Sequence, residues 1–200
     1  EGAPTSITAF FAIVPKLAAT ALIFRFCLEP FGNFYFEWTQ VIFFLSVASM
    51  FLGAIAAIAQ KSLKRLLAYS SIGHIGYVLI ALAASSDQGI KSASIYMFIY
   101  LVMNVSIFTI ILSLKKSDRY VEKVIELNGL SKSNPILSAS LAIIMLSMAG
   151  IPPFIGFFGK FYVFFAAIES QLYLLAVLGV LASVISAFYY LRIIKGMYFD

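Results

Sequence analysis

Met148-Ala-Gly-Ile-Pro-Pro-Phe-Ile-Gly-Phe-Phe-Gly-Lys-Phe-Tyr162 interrupts an apolar run, about Ile136 to Ile168, that is otherwise long enough to cross a bilayer with some tilt. Pro152 and Pro153 remove two backbone donors and clash with the preceding turn, while Gly150, Gly156 and Gly159 tolerate unwound backbone. The stretch reads as a spanning helix broken at membrane depth, with carbonyls that only protein or a water-filled cavity can satisfy. Lys160 follows just after the break. A lysine at membrane depth beside a broken helix is an ion-path candidate.

Composition agrees with a membrane setting along the whole chain. Hydrophobic residues make up 62% and charged residues 12%, and the mean hydropathy is +0.99, far outside soluble usage. The fold class expected is all-α, a single transmembrane domain over residues 1–200 with about six helices, spanning about 6–26, 40–59, 66–84, 92–114, 136–168 and 171–190. Apolar runs of this continuity exclude a β-barrel, whose strands alternate over about ten residues. The net charge of +5 does not point to nucleic acid, because the basic residues sit in short loops between apolar runs. The chain starts with Glu1 and carries no signal-peptide pattern, so it is expected to be a piece of something longer. Cys27, the single cysteine, reads as a small apolar filler.

Orientation follows from those basic residues. With six crossings, one side collects Lys61, Lys64, Arg65, Lys115, Lys116, Arg119, Lys123, Lys132, Arg192 and Lys195, against Arg25 and Lys91 on the other. The first side is expected to face the cytoplasm, or the matrix of an organelle. The loop Lys115 to Asn134, mixed in charge, is expected to form a short amphipathic surface helix with Val121, Val124, Ile125 and Leu127 as its apolar side.

Only Lys16, beside Pro15 in the first span, and Lys160 are left within the apolar runs. An ammonium there costs several kcal/mol. Its retention suits a proton relay, in which each lysine's protonation depends on the charge of its neighbours. In the third span Lys64, Ser70, Ser71 and His74 fall within about one third of the helical circumference, a polar stripe running inward from the basic loop. His74, of the residue type that titrates closest to neutrality, could bridge the two lysines. Plainer readings stand beside these. Either lysine could snorkel or hold the carbonyls of its own helix break, His74 could simply bond a neighbouring span, and Lys64 could be a topology anchor. The sequence has no Cys/His cluster, glycine-rich phosphate loop or Ser/His/Asp set, and its one histidine cannot supply a haem pair.

Three ordered motifs are specific enough to name a family. Glu1-Gly-Ala-Pro-Thr5 with Pro15-Lys16, Gln60-Lys-Ser-Leu-Lys-Arg-Leu-Leu-Ala-Tyr-Ser-Ser-Ile-Gly-His-Ile-Gly-Tyr77 and Gly150-Ile-Pro-Pro-Phe-Ile-Gly-Phe-Phe-Gly-Lys160 closely resemble the antiporter-like membrane subunits of respiratory complex I. The resemblance covers essentially the whole chain, and lysine rather than glutamate at position 160 points to one branch of that family. It implies one five-helix half of an inverted-repeat fold plus the preceding helix. By the same resemblance Lys160 is the lysine of the second broken helix, Lys16 a connecting lysine and His74 a member of the central hydrophilic axis. The implied activity is proton translocation coupled to NADH:quinone oxidoreduction in an inner membrane, bacterial or mitochondrial, beside other membrane subunits of the complex. No cofactor is expected in this chain, with NADH, FMN, iron–sulfur clusters and quinone on other subunits. Two alternatives stay open: a subunit of a multi-subunit cation/proton antiporter, and a split fragment that inserts but moves nothing.

Overall fold

In a lipid-soluble chain, burying apolar side chains against each other gains little over burying them in lipid, so close backbone approach and polar contacts must hold the helices together. The computed structural model describes residues 3–116 and 119–200, so that Glu1 and Gly2 of the first motif and Asp118 of the mixed-charge loop lie outside the described residues. Eight helices are described: α1 Thr5–Leu28, α2 Tyr35–Ile58, α3 Leu63–Ala83, α4 Asp87–Ser113, α5 Leu130–Ser133, α6 Pro135–Ala149, α7 Ile155–Glu169 and α8 Tyr173–Phe199. Five of them, α1 to α4 and α8, are long and apolar enough to span a membrane. The broken pair α6 and α7 supplies the expected interrupted helix.

Close approach is clearest between α2 and α3. A Cβ on Gly53 would stand 2.6 Å from the Gly73 nitrogen and 2.8 Å from the Tyr69 carbonyl. Ser46 Oγ donates to the Gly76 carbonyl at 2.8 Å across the same seam. The sequence pattern of small residues in α2 (Ser46, Ser49, Gly53, Ala54, Ala57) therefore works as a helix-contact face. By contrast α1 is peripheral: only Thr5, Ile13 and Cys27 are buried along it, and Phe10, Phe11, Val14, Leu22 and Phe26 face outward.

The break in α6–α7 is closed from both sides. α6 ends on Gly150, whose φ of 84° is left-handed and favours glycine. α7 begins without a capping side chain of its own, and Ser147 Oγ of α6 accepts from the Gly156 N–H at 3.0 Å instead. Lys160 Nζ in turn donates to the Ala149 carbonyl of α6 at 2.8 Å. Each half-helix thus supplies a partner for an orphan group at the end of the other, as a break at membrane depth requires.

The loop after α4 differs from expectation. In place of an amphipathic helix there is a two-residue antiparallel pair, β1 Lys115–Lys116 with β2 Arg119–Tyr120, then a 3-10 turn Val124–Leu127 and the four-residue α5. Of the proposed apolar side, Val121 and Leu127 are buried but Ile125 is 70% exposed. Backbone pairing explains the outcome. Leu63 N–H donates to the Glu122 carbonyl at 2.8 Å and Val124 N–H to the Lys61 carbonyl at 3.0 Å, so the segment is pulled out straight against the start of α3. A left-handed Gly129, φ 71°, then ends the turn. Helix limits also differ: α4 starts at Asp87 because Ser86 Oγ accepts from Gly89 N–H at 3.0 Å, and α8 continues through Arg192 and Lys195 to Phe199.

Candidate functional site

Polar side chains buried in the bundle converge from α1, α3, α4, α7 and α8. Their positions follow from three local features: the proline inside α1, the break between α6 and α7, and the small residues of α3. At Pro15 the backbone loses a donor inside α1. Tyr100 Oη of α4 donates to the nearby Ala12 carbonyl at 3.3 Å. One residue past the proline, the half-buried Lys16 donates from Nζ to Ser71 Oγ of α3, and Ser71 donates to the Ala68 carbonyl of its own helix at 2.6 Å.

His74 lies one turn further along α3, 3% exposed. Both ring nitrogens are engaged: Nδ1 with Tyr96 Oη of α4 at 2.7 Å, and Nε2 with Tyr190 Oη of α8 at 3.1 Å. Tyr190 Oη is also 2.5 Å from Ser70 Oγ. The imidazole is packed among the rings of Tyr77, Tyr96 and Tyr100, at centroid separations of 6.3, 6.0 and 5.4 Å.

Lys160, 4% exposed, is placed by α7 at the end of α6. Besides the Ala149 carbonyl it donates to Ser183 Oγ of α8 at 2.8 Å, and its Nζ stands 4.9 Å above the Tyr77 ring centroid. Its partners are thus the carbonyl end of α6, a hydroxyl of α8 and an aromatic face. A small cavity of about 10 Å³ separates Lys160 from His74 and is also lined by Ser70, Tyr77, Ser186 and Tyr189. That volume is about the lower limit for one water molecule, and the lining offers it several polar partners.

Of the candidate site residues Lys16, His74, Lys160 and Lys64, the first three bond hydroxyls inside the bundle, and none of these three touches another directly. Lys16 meets α3 through Ser71, His74 is bonded to two tyrosines, and Lys160 faces His74 across the cavity. Lys64 stands apart. Its Nζ pairs with Glu122 Oε1 at 2.9 Å and donates to the Ala3 carbonyl at 3.2 Å at the basic end of the bundle. It does share with Lys16 the lining of a cavity of about 290 Å³ between α1 and α3. Ser71 belongs to the polar stripe read in the sequence, whereas Tyr96, Ser183 and Tyr190 were not singled out there. A signal was present for the tyrosines: membrane proteins concentrate Tyr at the interfaces, and a hydroxyl in mid-span must find a partner.

The basic residues Lys61, Lys64, Arg65, Lys123 and Arg192 line one open cleft of about 700 Å³. There Arg192 donates to the Ile58 carbonyl at 2.7 Å and the Gln60 carbonyl at 3.1 Å, closing the end of α2.

A multi-pass helical bundle with a cross-capped broken helix and buried basic groups defines the class of α-helical integral membrane proteins. A family profile described as NADH:quinone oxidoreductase/Mrp antiporter, transmembrane, matches residues 1–186. The chain belongs to that family. It is 56% identical over all 200 residues to NADH-quinone oxidoreductase subunit N of Pelagibacter ubique and 56% identical to that of Rhodospirillum rubrum. It spans about two fifths of the length of these relatives, 42% and 41%. Among solved structures it is similar to a chain of respiratory complex I from Thermus thermophilus with bound aureothin, at a TM-score of 0.83 and 33% identity over 100% of this chain and 43% of that one. It is similar also to a chain of the Mrp complex from Dietzia sp., at a TM-score of 0.87 and 25% identity over 98% of this chain and 36% of that one.

Proposed function

We propose that this chain is a span of a proton-translocating membrane subunit of an NADH:quinone oxidoreductase of an inner membrane, working beside other membrane subunits of that complex. One observation carries the reading: Lys16, His74 and Lys160, from three helices, each bond a hydroxyl inside the bundle (Ser71 for Lys16, Tyr96 and Tyr190 for His74, Ser183 for Lys160), and His74 and Lys160 line one small cavity. Charged groups inside a bundle feel one another more than surface groups do, because water screens them less. Loss of a proton by one therefore changes the readiness of the next to take one. Lys64, beside the cavity that reaches Lys16, serves at the mouth of the path on the basic side.

Redox groups belong to other subunits in this reading. The nitrogens of the single histidine are both bonded to tyrosines, and one thiol, Cys27, falls short of the four that an iron–sulfur cluster takes. These residues do not fit a haem or an iron–sulfur cluster. A second reading, a subunit of a multi-subunit cation/proton antiporter, draws support from the TM-score of 0.87 with the Mrp chain. Sodium-driven proton movement without NADH would favour it.

The test is Lys160→Ala in the complete subunit, with NADH-driven proton pumping measured in membrane vesicles and assembly checked on a native gel. An assembled complex in which pumping and quinone reduction fall together supports the coupled path. Unchanged pumping refutes it and leaves Lys160 as the cap on the Ala149 carbonyl.

A further inference from the structure

Resting on the reading of His74 as a relay group, the geometry points to Tyr190 and Tyr96 as the proton-carrying partners that give His74 its direction, making it pass one proton per reset. A neutral imidazole carries one N–H and one lone pair. Between two hydroxyls, it must donate to one and accept from the other. Tyr190 has a single hydroxyl proton and two partners, Ser70 Oγ at 2.5 Å and His74 Nε2 at 3.1 Å. The group therefore has two orders.

In the first order Ser70 donates to Tyr190, Tyr190 donates to Nε2, and the Nδ1–H donates to Tyr96. In the second, every donor is reversed: Tyr96 donates to Nδ1, the Nε2–H donates to Tyr190, and Tyr190 donates to Ser70. A proton arriving at Ser70 Oγ in the first order displaces the proton already there onto Tyr190. Tyr190 passes its own to Nε2, Nδ1 gives its proton to Tyr96, and the Tyr96 hydroxyl proton passes to a water molecule or other base at the seam of α4 with α7. One proton has gone in, one has come out, and the second order remains. A second proton cannot follow in the same direction until the hydroxyls have turned and the ring tautomer has been exchanged.

Packing keeps this group in register. The two tyrosines come from α4 and α8, are 2% and 0% exposed, and clasp His74 from opposite sides. Gly159 of α7 gives the Tyr96 ring its place, since a Cβ there would stand 3.1 Å from Tyr96 Cδ2. That same helix carries Lys160 one residue on, so the Tyr96 end of the chain is set against the broken helix.

The experiment compares Tyr190→Phe, Tyr96→Phe, His74→Ala and the double variant His74→Ala/Tyr190→Phe in the complete subunit. NADH-driven pumping is read in vesicles and assembly on a native gel. Each phenylalanine keeps the ring and removes only the hydroxyl. Expected is a loss on the order of tenfold for each, the lower part of what a positioned proton-transfer group contributes. The double variant should be within about twofold of His74→Ala alone, because a hydroxyl that acts through the imidazole has nothing left to act on. A purely structural hydroxyl would instead lower pumping in both backgrounds. Wild-type pumping by assembled Tyr190→Phe and Tyr96→Phe overturns the proposal, as does a loss that multiplies with that of His74→Ala. Wild-type pumping by His74→Ala removes His74 from the path and the proposal with it, a failure distinct from that of the tyrosines. Should Tyr190→Phe not assemble, Tyr96→Phe and Ser70→Ala, each also combined with His74→Ala, decide by the same criteria.

Discussion

Replacing Gly156 by alanine puts the cross-capped break under direct load. The added Cβ would stand 1.8 Å from the Ser147 carbonyl oxygen and 2.7 Å from its carbon. Ordinary contact begins at 3.4 Å, so α6 and α7 must separate by 3.4 − 1.8 = 1.6 Å at that point. The Cβ is fixed by the α7 backbone and meets backbone atoms of Ser147, so no rotamer change relieves the clash. Overpacking of this kind costs about 1–3 kcal/mol, and the backbone contact places it at the upper end. About 3 kcal/mol is on the order of 100-fold in an equilibrium. The functional effect follows the same geometry. Lys160 is one turn further along α7 and 2.8 Å from the Ala149 carbonyl, and moving it by the full 1.6 Å directly away gives 4.4 Å, no longer a hydrogen bond. The assay is the yield of assembled complex on a native gel, followed by pumping in vesicles, for Gly156→Ala in the complete subunit. Gly32→Ala is the control, because a Cβ there meets nothing within 4 Å. Gly156→Ala is expected to lose most of its assembled complex, and what assembles should pump at least about tenfold more slowly, in keeping with the cost of displacing a positioned group by about 1 Å. If both variants assemble and pump alike, the contact between the two half-helices is not as close as described and the cross-capping argument fails.

Two further perturbations separate structural cations from the buried ones. Arg192→Ala removes two charged hydrogen bonds to the carbonyls of Ile58 and Gln60 and should cost about 3 kcal/mol, seen as reduced assembly; Arg192→Lys should restore only part, since an ammonium lacks the fork that reaches both. Normal assembly of Arg192→Ala would show that the end of α2 is closed by other means. Glu122→Gln breaks the pair with Lys64, but Glu122 is 62% exposed, so the loss should stay below about 1 kcal/mol and assembly at physiological salt should not change. A marked assembly defect would mean that the pair does more than join two surface groups.

Long-range partners divide what the sequence made legible from what it left hidden. Hydropathy alone marked the spanning helices, and the Pro152-Pro153 pair marked the gap between Ala149 and Ile155, because both are properties of residues close together in the chain. The amphipathic helix expected around Val121 to Leu127 failed because its competitor was remote: the Glu122 carbonyl and Val124 N–H pair with Leu63 and Lys61, some sixty residues away. Lys16, His74 and Lys160 could be singled out, since a cation or an imidazole among apolar residues is conspicuous wherever it is. Their partners could not. Tyr190 is 116 residues from His74 in the chain, and Ser183 is an ordinary serine in an apolar helix until α8 is laid against α7. The polar stripe on α3 was correct as helical geometry, but Lys64 at its outer end turns to Glu122, which no periodicity within α3 could reveal.

Because the Lys160 ammonium bonds to a carbonyl of α6 and a hydroxyl of α8 while being carried by α7, it acts as a gauge of how three helices stand relative to one another. Both bonds are 2.8 Å long, and a slip of about 1 Å by any one helix would stretch at least one of them past the limit of a hydrogen bond. A disturbance that reaches only one of the three helices, from within the chain or from a neighbour pressed against it, is therefore converted at this nitrogen from displacement into a change in the stability of a charge.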